Sequence, residues 1–339
     1  MDVEQKTEKV SYTSLFELTG RLGTTVPLYD VTTKNVLSRL PHFMPGKLNP
    51  DQMKAMIGYI QVDELEKKDI GYKKKEVDRK ELSHISTFQV LNNEEIYSIC
   101  PIGDTHVWMS VSSSNELLNV NKNGKVAESV KLEFYPFCLT MTNTEELLIT
   151  VDYCSPLIYK LTKDRRVTRF ADISPLEAWG ISVSDSDEVF VTTKTTTILV
   201  LNMSGERIRQ ISCGGNGLSV VCLTKGDIAV TTGADIFECK EIIVINKSDQ
   251  IIHKWSGELD NGQTLKKTHQ WDIARYRYDR VFVPDSNTDQ VYVLSVNEGK
   301  AKCLLDKRHG VTYPAVVCVD RWGHVWIGCV DGTVHVMQL

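Results

Sequence analysis

Four residues with oxygen-donor side chains, Asp152, Asp285, Asn287 and Asp320, stand at the ends of apolar runs. Carboxylates and amides brought together from strand ends can hold one Ca²⁺ and polarise an ester or lactone, so a Ca²⁺-dependent hydrolase is one reading of the chain. The competing role is structural: aspartate and asparagine at such points hydrogen-bond the local backbone of turns, and that role is the expectation here. His42, His84, His106, His253, His269, His309, His324 and His335 are scattered without ligand spacing. The nine cysteines, from Cys100 to Cys329, include no pair at the two-residue spacing of a zinc knuckle. Several lie inside apolar runs, as in Val316–Val319, so buried free thiols of a reducing compartment are expected. No Gly-Xaa-Ser-Xaa-Gly nucleophile turn and no phosphate-binding loop occurs, and Gly214–Gly217 reads as a plain loop. Neither a cofactor nor a resident metal is expected.

These residues hang on a motif repeated six times between about residues 84 and 339. Its clearest part is a second strand, polar at the start and apolar after it: His106–Val111, Glu146–Val151, Glu188–Thr193, Asp227–Thr232, Arg280–Asp285 and His324–Cys329. First strands precede them at Ile96–Cys100, Phe137–Met141, Gly180–Val183, Leu218–Cys222, Asp272–Arg275 and Ala315–Val319. Third strands follow at Glu116–Val120, Leu157–Leu161, Ile198–Leu201, Ile242–Ile245, Val291–Leu294 and Val334–Met337. Short turns such as Asn123-Gly124, Ser204-Gly205 and Glu298-Gly299 then lead into a more polar outer strand, for example Arg207–Ile211. Four strands per repeat of about 39 to 52 residues predict an all-β, six-bladed β-propeller over residues 84–339. The sixth copy has no outer strand after its third, and Ile85–Leu91, lying ahead of the first copy, is predicted to supply it and close the ring.

Residues 1–83 read as a leader of different character. Asn49 can cap a helix, Pro50 suits its first position and Gln52 can complete the cap, after which Met53, Met56, Ile57 and Ile60 form one apolar face; a helix over about 49–60 is predicted. Leu40–Pro45 reads as an extended arm, and Glu64–Glu81, with Lys73, Lys74, Lys75, Arg79 and Lys80, as a solvated charged linker. The formal net charge is −5, and because the leader is nearly balanced the excess acid falls on the repeats. A mildly acidic propeller is a poor counterion for phosphate. Met1–Lys9 has no apolar signal core, and no stretch approaches the roughly 20 apolar residues that span a bilayer; a cytoplasmic protein without membrane contact is expected.

The rhythm of Tyr313–Gly328, with a proline opening, an apolar strand ending in aspartate, a glycine turn and a second apolar strand, resembles an NHL repeat. Trp179–Val183 followed by Asp187–Val191, and Val283–Asn287 running into Val291–Leu294, resemble it too, whereas Leu218–Thr232 departs from it. The leader, with Leu40–Pro45 and the 49–60 helix, is similar to the segment before the propeller of tripartite-motif (TRIM) NHL proteins. That resemblance implies a propeller that selects substrates or RNA for a ubiquitin ligase. It does not extend to ligase activity: before Cys100 only His42 and His84 could contribute to a zinc shell, so neither a RING nor a B-box can fold.

Phe134, Tyr135, Glu177, Trp179, Asn216, His269, Trp271 and Tyr313 stand where the chain enters the inner strands, positions that a propeller gathers on one face. Rings with polar handles supply rigid contact area to recognition surfaces, so these eight are the expected binding residues for a protein or peptide. Single-stranded RNA can stack on the same rings, but stacking usually accompanies a basic groove. The expected function is non-catalytic protein recognition, with an RNA-binding propeller and the Ca²⁺-dependent hydrolase as alternatives.

Overall fold

A computed structural model describes residues 82–338, apart from 92, 153, 236–237, 266–271 and 277–279. The predicted 49–60 helix, the extended arm and the charged linker lie outside the described residues, as do His269 and Trp271. The described residues belong to one compact unit, Glu76–Leu339.

Strand β1 (Ser83–Gln89) is followed by six runs of antiparallel strands. The first blade holds β2 (Ile96–Ile102), β3 (His106–Val111), β4 (Glu116–Asn121) and β5 (Val126–Lys131), and the second β6 (Pro136–Met141), β7 (Leu147–Val151), β8 (Leu157–Leu161) and β9 (Val167–Asp172). The third holds β10 (Ile181–Val183), β11 (Val189–Thr192), β12 (Thr197–Leu201) and β13 (Arg207–Ser212), and the fourth β14 (Asn216–Cys222), β15 (Ile228–Asp235), β16 (Glu238–Ile245) and β17 (Ile251–Trp255). The fifth holds β18 (Ala274–Tyr276), β19 (Arg280–Asp285), β20 (Gln290–Ser295) and β21 (Lys300–Leu305). The sixth runs β22 (Pro314–Val319), β23 (His324–Cys329) and β24 (Thr333–Gln338), with β1 as its outer strand. Inner strands approach one another in a closed cycle, β2 to β6, β10, β14, β18, β22 and back to β2. The fold is the predicted six-bladed β-propeller.

Burial explains the composition of each strand. Second strands are covered on both sides by neighbouring blades, and Val107, Trp108 and Met109 of β3 are almost fully buried, which is why these strands read as continuous apolar runs. Outer strands such as β5 alternate between exposed and half-buried positions. The core is divided among the six interfaces between blades. Cys100, Trp108, Leu117, Leu139, Leu147 and Ile149, for example, join the first blade to the second, and Phe190, Ile198, Val220 and Val230 the third to the fourth.

A buried hydroxyl near the end of the second strand joins successive blades. In the third blade, Gly180 N–H donates to Thr192 Oγ1 at 2.8 Å, and the hydroxyl donates to Leu218 O of the fourth blade at 2.8 Å. Thr150 likewise accepts from Cys138 N at 3.0 Å and donates to Trp179 O of the next blade at 2.8 Å. Ser110 donates to Phe137 O at 2.5 Å. The equivalent residue in β23 is Gly328, where a Cβ would lie 2.8 Å from Ile96 Cβ, so at the ring junction close contact takes the place of the hydroxyl. Replacing Thr192 by valine keeps the volume but strands a buried N–H and a buried carbonyl. A loss of about 2 kcal/mol is expected in urea unfolding, with an unchanged denaturant slope; a shift below about 0.5 kcal/mol would show that the latch adds little.

The ring closes where the sequence placed its closure, with small differences in extent. Strand β1 begins at Ser83 and ends at Gln89, two residues earlier than the predicted Ile85–Leu91, because the chain turns after Val90 to reach the first blade. It pairs antiparallel with β24, Ser83 opposite Gln338 and Gln89 opposite Thr333. Thr87 Oγ1 lies 2.9 Å from His335 Nδ1 and 2.8 Å from His84 Nε2. Phe88 packs into the core between the sixth and first blades, and Gly124 passes so near its ring that a Cβ there would be 2.5 Å away.

Candidate functional site

The connections that lead into the inner strands share one face, here the upper face, with the loops between second and third strands. Turns between first and second strands occupy the opposite, lower face. This topology scatters the four candidate metal ligands. Asp152 and Asp285 end second strands on the upper face, whereas Asp320 follows β22 on the lower one. Asp285 Oδ1 accepts Asn287 N–H at 3.2 Å and its Oδ2 accepts from Thr288 Oγ1 at 2.9 Å. Asp320 Oδ1 accepts Trp322 and His324 N–H at 2.9 Å, and its Oδ2 accepts from Trp326 Nε1 at 3.3 Å. Both act as turn residues. Among the described residues, no three His, Cys, Asp or Glu side chains are placed to hold a metal ion.

The six described candidates for binding all lie on the upper face, but in different environments. Tyr313 and Tyr135 are 57% and 43% exposed. Tyr313 has a left-handed φ of 47°, fixed by Asp289 Oδ1 accepting its N–H at 2.7 Å and by its carbonyl accepting Val330 N–H at 3.0 Å. The Tyr135 carbonyl accepts Asp152 N–H at 2.9 Å. Glu177 is half-buried. Asn216 Nδ2 donates to Ala234 O at 2.9 Å. Phe134 stacks on Tyr159 at 4.1 Å between ring centroids and belongs to the core between the first two blades.

Trp179 differs most from its expected role: it is only 8% exposed. Its ring packs 4.3 Å from that of Phe137, which meets Tyr97 edge-on at 5.1 Å, and on the far side it reaches Leu218. Tyr97, Phe137, Trp179 and Leu218 hold equivalent places, each one residue ahead of the position opposite the latch, so they form an apolar arc over four of the six blades at the upper end of the channel. Sequence reading missed Tyr97 and Phe137; the signal available was that shared column. Lys194 Nζ sits 3.6 Å from the centre of the Trp179 ring and 3.2 Å from the Sγ of exposed Cys154.

Below this apolar arc the inner strands enclose a cavity of about 280 Å³. Its polar lining includes Ser98, Ser182, Ser219, Cys138 and Asp272. The Asp272 carboxylate accepts from Ser219 Oγ at 3.0 Å and from Val317 N at 3.3 Å, bridging the fourth and sixth blades across the fifth. Removal from bulk water raises its pKa to about 6, and the hydrogen bonds only partly offset this. Burial pushes the thiols of Cys100 and Cys138 up to about 12, so neither is a thiolate nucleophile at neutral pH. The described cysteines are all free, and Cys100, Cys213, Cys222, Cys318 and Cys329 are buried.

No family model matches the chain, and no curated protein matches it. Solved structures do. Virginiamycin B lyase from Staphylococcus aureus is similar at 14% identity and a TM-score of 0.55, over 75% of this chain and 98% of that one. A Bacteroides thetaiotaomicron protein of unknown function is similar at 9% identity and a TM-score of 0.60, over 76% of this chain and 73% of that one. The WD40 propeller domain of Doa1 is similar at 11% identity and a TM-score of 0.53, over 76% and 96%. A lyase and a WD40 propeller thus share one architecture with this chain, and what these likenesses establish is the β-propeller fold.

Proposed function

We propose that this propeller is a recognition module that binds a protein segment across its upper face. The observation that supports the reading is the pair of large, outward-facing rings, Tyr135 and Tyr313, held on backbone positions that are themselves hydrogen-bonded. Rigid aromatic area on a fixed scaffold loses little entropy on binding and is the usual anchor of an interface. The NHL-like rhythm of Tyr313–Gly328 accords with a substrate-selecting or adaptor role of the tripartite-motif NHL kind, exercised in the cytoplasm.

The test is affinity capture from cytosolic extract with the full chain and with a Tyr135→Ser/Tyr313→Ser variant, each with and without nuclease. Proteins retained by the wild type after nuclease and lost by the variant are the expected result. Specific RNA held equally by both forms, with no protein difference, would replace this reading with nucleic-acid binding.

A further inference from the structure

The charge of the upper face narrows the class of segment it takes. Three lysine and arginine side chains occur in its described connections and loops, and each is already engaged. Lys307 Nζ is 2.9 Å from Asp289 Oδ2, Arg308 donates to Asp306 Oδ2 at 2.7 and 2.9 Å, and Lys194 lies on the Trp179 ring. Although partial burial opposes it, the Lys307 ammonium and the Tyr313 N–H hold the Asp289 carboxyl below its ordinary range, so that pair stays ionised.

The acids flanking the exposed tyrosines have no such counterions. Glu133 is exposed two residues before Tyr135, and Asp331 is exposed beside Val330, whose N–H binds the Tyr313 carbonyl. Neither carboxylate is paired with a described cation. Between them, in the connection from the sixth blade to the first, lie Glu94 and Glu95; the Glu94 carboxylate accepts from Ser112 Oγ at 2.7 Å, and burial raises the pKa of Glu95. The arc from Tyr313 through the first blade to Tyr135 therefore sets exposed apolar surface, which includes Val330 at 40% exposure, beside two exposed carboxylates, Glu133 and Asp331, with exposed Lys131 at the end of β5 as the nearest cation in sequence.

From this juxtaposition we infer that the bound segment is a cationic peptide, carrying lysine or arginine interspersed with aromatic or aliphatic residues. The apolar side chains would lie on Tyr135, Tyr313 and Val330, and the cations against Glu133 and Asp331. Complementary charge of this kind selects among partners and speeds encounter. An acidic segment, or the phosphates of an RNA, would meet like charge on the same arc. The inference rests on the recognition reading above and adds the chemical class of the partner.

The full chain is panned against a phage-displayed pool of random 12-residue peptides, alongside a Glu133→Gln/Asp331→Asn variant and the Tyr135→Ser/Tyr313→Ser variant. The wild type is expected to enrich lysine and arginine at least threefold over the input pool. That enrichment should fall at least twofold when the salt is raised from 50 to 500 mM, and the charge variant should keep apolar enrichment while losing the basic bias. Tyrosine-dependent enrichment without a charge bias, or a basic bias unchanged in the Glu133→Gln/Asp331→Asn variant, overturns the cationic assignment and leaves the recognition reading standing. Failure to enrich any peptide overturns both.

Discussion

A chain lacking residues 83–91 is expected to lose most of its stability and to associate through an opened sixth blade. Ile85, Phe88, Val90 and Leu91 are packed against the core between the sixth and first blades. At roughly 1–2 kcal/mol for each half-buried apolar side chain, they account for on the order of 5 kcal/mol, comparable with the lower end of total domain stability. Their removal also uncovers the edge of β24, where Val334 and Val336 are fully buried in the intact ring, and an unpaired apolar edge invites pairing between molecules. Scanning calorimetry with light scattering is the measurement. A melting midpoint within a few degrees of the intact chain, with no aggregation, would mean that the ring does not depend on β1.

Replacing Asp272 by asparagine is expected to stabilise the protein, by an amount that grows with pH. The carboxyl titrates near 6 in the folded chain, against an ordinary value of 3.8. A raised value means that the folded state prefers the protonated form: the contribution to stability is full below about pH 4 and is lost as pH rises through 6. The ionised group then costs about 3 kcal/mol at pH 7.5. Asparagine is neutral throughout, and its amide can accept from Val317 N and donate to Ser219 Oγ, both partners of the carboxylate. Urea unfolding should therefore show nearly equal stabilities at pH 4 and a gain of about 3 kcal/mol for the variant at pH 7.5. An equal shift at both pH values would mean that packing, and not ionisation, sets the difference. Proteins retain such a cost chiefly where the group serves a purpose, which makes the channel the first place to look for a consequence of this substitution beyond stability.

Much of the ring was legible because its strongest signal is local. The apolar runs of the second strands need only their own residues to be recognised, and Val107–Val111 and Val325–Cys329 lie where the periodicity puts them. The closing strand was legible for a different reason, since a run such as Ile85–Phe88 outside any complete repeat has one open edge to fill. What escaped depends on residues distant in sequence. The inner strand of the fifth blade begins at Ala274 and not at the expected Asp272, because the register of β18 on β19 sets Asp272 opposite Pro284, which has no N–H for the ladder. The hydroxyls of Ser110, Thr150 and Thr192 form a visible column, but their acceptors lie one blade further on. Trp179 and Tyr313 look alike as aromatic residues leading into inner strands. Only the neighbouring Phe137 and Leu218 bury the first, while the second projects outward, and nothing within either segment distinguishes them.

The register of β1 on β24 also fixes how the ring responds to mechanical load. Ser83 lies opposite Gln338, so the two segments leave the blade side by side at the same end. Tension applied through Leu82 and Gln338 pulls the paired strands apart crosswise and meets their hydrogen bonds one at a time, beginning at Ser83. Tension between points at opposite ends of paired strands would instead load those strands lengthwise and many bonds together. A pull on Leu82 against Gln338 therefore peels β1 from β24 at low force, which makes the closure of the ring a weak seam under load.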